Sequence, residues 1–271
     1  MKTRVISAAV LVPILFLIVL VAPISAAAAI LGLLLAVAAY ELLYRTGLVK
    51  QPRLVIYSSV MAFVISMWSY FEAVRAYFVL LLMVFFMVMF AEMMMDHIKV
   101  RFETVSMCFV AGVMIPYFLT ALIRILTMNI GRYVILIPFI VAFMNDAGAY
   151  FAGVRFGKHK LAPVVSPNKT IEGVFGGLAG AMIGMLLYAL ILDFPLKFNV
   201  NYLIALLYGL LGSAVGTFGD LCFSIVKRQT GIKDYGNLIP GHGGVLDRFD
   251  SLSMVAPLME ALLLLLPLVE M

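Results

Sequence analysis

Residues 202–226 read YLIALLYGLLGSAVGTFGDLCFSIV, and residues 227–250 continue KRQTGIKDYGNLIPGHGGVLDRFD. The first stretch is apolar but for a single carboxylate, Asp220, and it is long enough to cross a bilayer, which takes about 20 residues as a helix. The second carries both signs of charge, a histidine and five glycines. Together they predict a membrane helix that opens into a polar loop where chemistry can be done. The same alternation of apolar run and charged connection recurs along the chain.

Only 12% of the 271 residues are charged and 65% are hydrophobic. With a mean hydropathy of +1.13, this excludes an ordinary soluble domain. Nine apolar runs are expected to span the membrane, at 5–22, 25–44, 54–70, 76–95, 104–126, 133–154, 172–192, 202–226 and 251–269. The first has the basic flank of a signal peptide (Lys2, Arg4), but no cleavage site leads into a soluble mature region, so it reads as a true first helix. The expected fold is all-α: a polytopic integral membrane protein of about nine transmembrane helices. Residues 1–130 supply about five of them. Residues 131–271 supply about four and form a catalytic region with loops 155–171 and 227–250.

Lysine and arginine orient these spans. Fifteen of the 19 fall in loops on the side of the N-terminus, and Arg75, Arg124, Arg132 and Lys197 fall on the other. Because positive loops remain in the cytoplasm, the N-terminus and both charged loops are expected there, with the C-terminus outside. The net charge of +5 suits anionic head groups or a polyphosphate, although positive-inside bias alone accounts for much of it. Cys108 and Cys222 lie in different spans and read as small packing residues, with no disulfide or thiolate metal site implied.

Ionisable groups inside spans are costly and mark cavities or partners. Asn145 and Asp146 precede the cytoplasmic end of the sixth span by about eight residues, and Asp220 that of the eighth, so each lies roughly 12 Å below the boundary. A cytoplasm-facing polar funnel, acids at its floor and cations at its mouth, is the simplest account. Asp220, Ser224 and Lys227 stand at i, i+4 and i+7 and share a helix face. Gly212, Gly216 and Gly219 precede them and permit close helix approach. Asp247 and Asp250 begin the ninth span at i and i+3; they read either as acids complementing a helix N-terminus or as part of the cavity. Three or four carboxylates facing one cavity suggest Mg²⁺, a hard ion held by a few carboxylates and by substrate phosphates.

Other polar groups read more plainly. Glu41 and Arg45 are expected to pair at i, i+4; Glu92 and Asp96 to be solvated near a helix end; His97 and His159 to lie on the surface. Around His242, Gly241, Gly243 and Gly244 let backbone N–H groups approach a phosphate, with a purely structural turn as the alternative. In the second charged loop, GVRFGKHKLAPVVSPNKTIEG (153–173), Ser166 and Thr170 are candidate caps of the following helix, with Lys169 near a bound anion.

Ser224, Lys227, Arg228, Lys233, Asp234, Gly236, Ile239, Pro240, Gly241, His242, Gly243, Gly244, Asp247, Arg248 and Asp250 fall on the pattern S-x-x-K-R-x4-K-D-x-G-x2-[IL]-P-G-H-G-G-x2-D-R-x-D without a departure. The chain thereby resembles the phosphatidate cytidylyltransferases (CDP-diacylglycerol synthases). Upstream, Asn145-Asp146, Gly148-Ala149-Tyr150, Phe156-Gly157-Lys158, Ser166-Pro167, Lys169-Thr170 and Glu172-Gly173 resemble the family too, with Asn168 and Ile171 departing from the common Lys and Trp. The motifs cover roughly 140–255; the first 130 residues match in hydropathy and not in motif.

The resemblance implies the reaction of CTP with phosphatidate to give CDP-diacylglycerol and pyrophosphate for phospholipid synthesis, dependent on Mg²⁺ with or without a second cation. It implies Asp220, Asp247 and Asp250 as metal ligands, and these with Lys227 as the catalytic set. Asn145, Asp146, Lys158, Ser166, Lys169, Thr170, Ser224, Arg228, Lys233, His242, Gly243, Gly244 and Arg248 would bind substrates. The implied partners are CTP, phosphatidic acid and the bilayer of the plasma (inner) membrane, with no nucleic acid; a homodimer is allowed. Two other readings use the same residues. A CTP-dependent lipid kinase would attack the γ-phosphorus and release CDP. An ion-coupled transporter would use Asp146 and Asp220 as a midplane site, but the polar residues gather on one side only.

Overall fold

The apolar runs fold as helices because backbone N–H and C=O groups in hydrocarbon must pair within their own segment. The computed structural model describes residues 2–239, 241 and 243–270, with side chains of 9–269 apart from 240 and 242. Helix α1 is Lys2–Phe16, extended by a π turn over Leu17–Val21. Seven helices long and apolar enough to cross a membrane follow: α2 Ile24–Arg45, α3 Pro52–Tyr70, α4 Phe78–Met95, α5 Phe102–Leu126, α6 Gly131–Phe156, α7 Ile171–Asp193 and α8 Tyr202–Gln229. The last helix, α9, is Leu252–Leu265.

Seven of the nine expected spans are thus present as helices of the required length and composition. The first is also helical, running from Lys2 through the π turn that ends at Val21. The last is 14 residues, about 21 Å of helix against a hydrocarbon core of about 30 Å. Pro267 explains its early end, since the residue before a proline is pushed out of the helical region, and Leu266 sits at φ −135°, ψ 70°.

The chain forms two compact units. The first contains residues 1–127 and 229–249; the second contains residues 128–228 and 250–271. In the first, α2 and α3 pack tightly. A Cβ on Gly32 would lie 2.8 Å from the Phe63 ring, and the Ser66 hydroxyl donates across the interface to the Ala28 carbonyl at 2.7 Å. Arg53 of α3 meets Glu92 of α4 at 2.8 Å, and the Tyr57 hydroxyl donates to the same carboxylate at 3.2 Å. Glu92, expected to be solvated, is therefore buried and paired. Most of α4 instead exposes Val79, Leu80, Met83, Phe86 and Met87, an apolar face suited to lipid.

In the second unit α6 and α7 approach closely through small residues. Gly148 faces Gly176 and Gly180, and Gly176 faces Ala152, an i, i+4 arrangement of small side chains that lets backbones meet. The glycines of α8 act likewise toward α9: a Cβ on Gly216 would come 2.9 Å from Val255, and one on Gly219 would come 3.1 Å from the Asp250 carbonyl. A short antiparallel hairpin, β1 Lys160–Ala162 with β2 Ser166–Thr170, lies between α6 and α7. A second pair, β3 Asn199–Val200 with β4 Val269–Glu270, ties the chain end beside the start of α8.

Candidate active site

Helix α8 carries the charged face of the second unit. Asp220 forms an ion pair with Lys169, which β2 delivers. One turn on, the buried Ser224 hydroxyl donates to Asp220 Oδ1 at 3.4 Å. A further turn on, Lys227, also buried, lies 3.9 Å from Asp250 Oδ2. Asp250 is brought against α8 by Gly219, and its own carboxylate accepts from the Ser251 N–H at 2.9 Å. Arg228 donates from Nε to the Val165 carbonyl of the hairpin turn at 3.1 Å. The expected i, i+4, i+7 face therefore exists, and two lysines stand on two carboxylates along it.

Deeper in the same unit, Asn145 is buried and its Oδ1 accepts from the Ser213 hydroxyl of α8 at 2.5 Å. The bare backbone of Gly177 makes room for it, since a Cβ there would fall 2.4 Å from that oxygen. Asp146, the next residue, is exposed, with Oδ1 3.5 Å from the Asn145 amide nitrogen. In the hairpin, the Thr170 hydroxyl caps α7 by accepting the Gly173 N–H at 3.1 Å. Ser166 instead begins β2, opposite Ala162, and does not cap. Glu172, in the first turn of α7, accepts the backbone N–H groups of Lys158 and His159 at 3.1 and 3.2 Å and meets the exposed His159 ring at 2.6 Å. The Lys158 side chain is left on the surface.

The glycine-rich loop belongs to the first unit. The Ile239 N–H donates to the Gly243 carbonyl at 2.9 Å, closing a turn in which Gly241 and Gly243 have φ of +77° and +87°. L-residues rarely adopt such backbone, which accounts for these two glycines. Asp247 is buried inside the loop and its Oδ2 accepts the N–H groups of Tyr235 and Gly244 at 2.8 and 2.9 Å. Lys233, Asp234 and Arg248 are exposed around it. His242 and Pro240 lie outside the described residues.

Glu41, expected only to pair with Arg45, also belongs here. Glu41, in the π turn that ends α2, is only 3% exposed and accepts the Leu246 N–H at 3.0 Å. Its partner is 205 positions away, so no local spacing could reveal it. The signal present in the sequence is an acid near the end of an apolar run, with an arginine at i+4 that accounts for part of its surroundings.

Among the described residues, no three His, Cys, Asp or Glu side chains form a ready cage for a metal. What α8, β2 and the turn before α9 offer is a sparser set: the carboxylates of Asp220 and Asp250, a hydroxyl on Ser224, and the ammonium groups of Lys169 and Lys227 already drawn to those acids. Hard oxygen donors in that number fit Mg²⁺, which commonly takes one or two carboxylates and completes its shell with phosphates and water.

The profile described as "Cytidylyltransferase family" matches residues 2–266. Among curated proteins, the chain is 43% identical over 138 residues to "Phosphatidate cytidylyltransferase" of Staphylococcus haemolyticus (strain JCSC1435), covering 51% of this chain and 52% of that one. The proteins of the same name from Staphylococcus aureus (strain COL) and Staphylococcus epidermidis (strain ATCC 12228 / FDA PCI 1200) are 41% and 42% identical with the same coverage. The matched stretch thus spans about half the length of these relatives.

Proposed function

Because the chain belongs to the cytidylyltransferase family, we propose that it transfers CMP from CTP to phosphatidate, leaving CDP-diacylglycerol in the membrane and releasing pyrophosphate. A phosphate oxygen of phosphatidate attacks the α-phosphorus of CTP. The bond from that phosphorus to the bridging oxygen breaks, and pyrophosphate leaves with the electron pair. A phosphate monoester is already anionic at neutral pH, so no strong general base is needed. The protein's work is positioning and charge neutralisation, as in phosphoryl transfer generally.

In this reading Lys227 and Arg228 of α8, with Lys233 and Arg248 of the loop, offset the charge of the triphosphate. Lys169 turns from Asp220 to the lipid phosphate. Asn145 and Asp146 bind nucleotide or complete the metal's shell, and Ser224, Gly243, Gly244 and His242 line the phosphates. Lys158, Ser166 and Thr170 form the edge of the lipid-phosphate side. Asp220 and Asp250 would hold Mg²⁺, with Asp247 as the third proposed ligand, and the ion would supply positive charge to phosphate oxygens. The positive-inside bias of the lysine-rich loops supports a cytoplasmic face of the plasma membrane as the place of this chemistry, where CTP from water would meet a lipid from the bilayer.

The observation that carries the reading is the ladder on α8, Asp220 with Lys169 and Asp250 with Lys227. It provides carboxylates for a hard cation and ammonium groups for phosphates within two turns of one helix. The test is product release from purified protein in detergent–phosphatidate micelles. Pyrophosphate that appears only when CTP, phosphatidate and Mg²⁺ are all present supports the proposal. Release of CDP instead points to a lipid kinase and contradicts it.

A further inference from the structure

Two buried acids hold the glycine-rich loop from within: Asp247, the third proposed metal ligand, and Glu41, which has no part in that scheme and lies far away in sequence. The Glu41 carboxylate sits against the backbone of Gly236 and Gly244 and takes the Leu246 N–H at 3.0 Å. A Cβ built on Gly236 would lie 2.1 Å from Glu41 Oε1, and one on Gly244 would lie 2.5 Å from both carboxylate oxygens. Neither glycine has positive φ, unlike Gly241 and Gly243. Steric contact with Glu41, and not backbone conformation, is therefore what keeps these two positions bare. On the other side of the loop Asp247 Oδ2 holds the Tyr235 and Gly244 N–H groups. The loop is thus closed around two buried carboxyl groups, with Lys233, Asp234 and Arg248 outside on its exposed surface.

We propose that Glu41 is a positioning residue for the nucleotide loop: its carboxyl group is the internal acceptor against which the backbone at Gly236, Gly244 and Leu246 is shaped before CTP arrives. The proposal rests on the reading that this loop receives the CTP phosphates. It assigns a task to the N-terminal half of the chain, which carries no catalytic motif. The π turn over Glu41–Arg45 fits that task, because the extra residue in such a turn re-aims a side chain, and such turns recur at functional sites. A preorganised loop keeps the ordering cost out of nucleotide binding.

The test compares Glu41→Gln with Glu41→Ala in the full-length protein in detergent. Hydrogen exchange of the 233–248 backbone is followed without nucleotide, and steady-state kinetics with CTP and phosphatidate varied separately. Glutamine keeps an acceptor for the Leu246 N–H, so Glu41→Gln should retain slow exchange and a CTP KM close to wild type. Glu41→Ala leaves that N–H unmatched; loop exchange should accelerate at least about tenfold and the CTP KM rise by a similar factor, while the phosphatidate KM holds. Gly244→Ala should show the same split, and combining it with Glu41→Ala should be milder than the product of the two effects, because the oxygens that obstruct the new methyl are gone. Unchanged loop exchange in Glu41→Ala overturns the proposal, as does an equal rise in both KM values. Faster exchange with an unchanged CTP KM would uphold Glu41 as the loop's anchor while refuting the assignment of the loop to CTP.

Discussion

Replacing Lys169 by methionine should move metal binding and turnover in opposite directions. Lys169 and Asp220 are paired with their side chains 25% and 29% exposed. A lysine–carboxylate pair shielded to that degree is worth about 1 kcal/mol net. In the protein without substrate, the ammonium competes with a cation for the same carboxylate. Methionine keeps much of the stem's packing and removes the competitor, so Mg²⁺ affinity without nucleotide should improve about fivefold. Turnover should do the reverse. Loss of a charged hydrogen bond to the lipid phosphate costs about 1.5–3 kcal/mol, or about 10–150-fold in kcat/KM for phosphatidate. Calorimetric Mg²⁺ titration of the detergent-solubilised protein reads the first effect, and initial rates at varied phosphatidate read the second. Mg²⁺ affinity that weakens or stays the same in the variant would refute the competition, and kcat/KM within twofold of wild type would refute the phosphate role.

Asp220→Asn and Asp250→Asn should each lower kcat at least about 100-fold at saturating Mg²⁺, the scale seen when a group that stabilises developing charge is removed; initial rates across a Mg²⁺ series check this, with circular dichroism showing the helices intact. Gly148→Val forces a side chain where a Cβ alone would lie 2.3 Å from the Gly176 carbonyl oxygen, and should cost about 1–3 kcal/mol or prevent α6 and α7 from packing, read by thermal unfolding in detergent. Thr170→Val removes the cap that accepts the Gly173 N–H and should cost about 1 kcal/mol, seen as faster hydrogen exchange in the first turn of α7.

The helical membrane character of the chain was readable from apolar runs alone, because hydrocarbon leaves a backbone no alternative to internal pairing. The cap at Thr170 and the close approach around Gly212, Gly216 and Gly219 were also local patterns, and the structure contains both. The charged face of α8 was legible from i, i+4, i+7 spacing, although its partner Lys169 comes from a strand that looked like irregular loop. Strands of three and five residues interrupted by a bulge leave too little alternation to recognise. Glu41 was only partly legible. Its neighbour Arg45 does act on it electrostatically, but it also meets the Leu246 N–H and the backbone of Gly236 and Gly244, which no side-chain pattern encodes. Gly236 and Gly244 show the converse: their bareness serves a carboxylate of the protein as well as any phosphate. Glu92 repeats the lesson, since a charge near a helix end turns out to be matched by Arg53 and Tyr57 of another helix.

The most direct test of cytidylyl transfer is to supply CTP carrying phosphorus label either at the α or at the γ position, with phosphatidate micelles and Mg²⁺, and to count label in the extracted lipid. The account predicts that α-label enters lipid, γ-label leaves as pyrophosphate, and both events vanish with chelation of Mg²⁺ and in Asp220→Asn. γ-label in the lipid, or no lipid label from folded protein with all three components present, would contradict it.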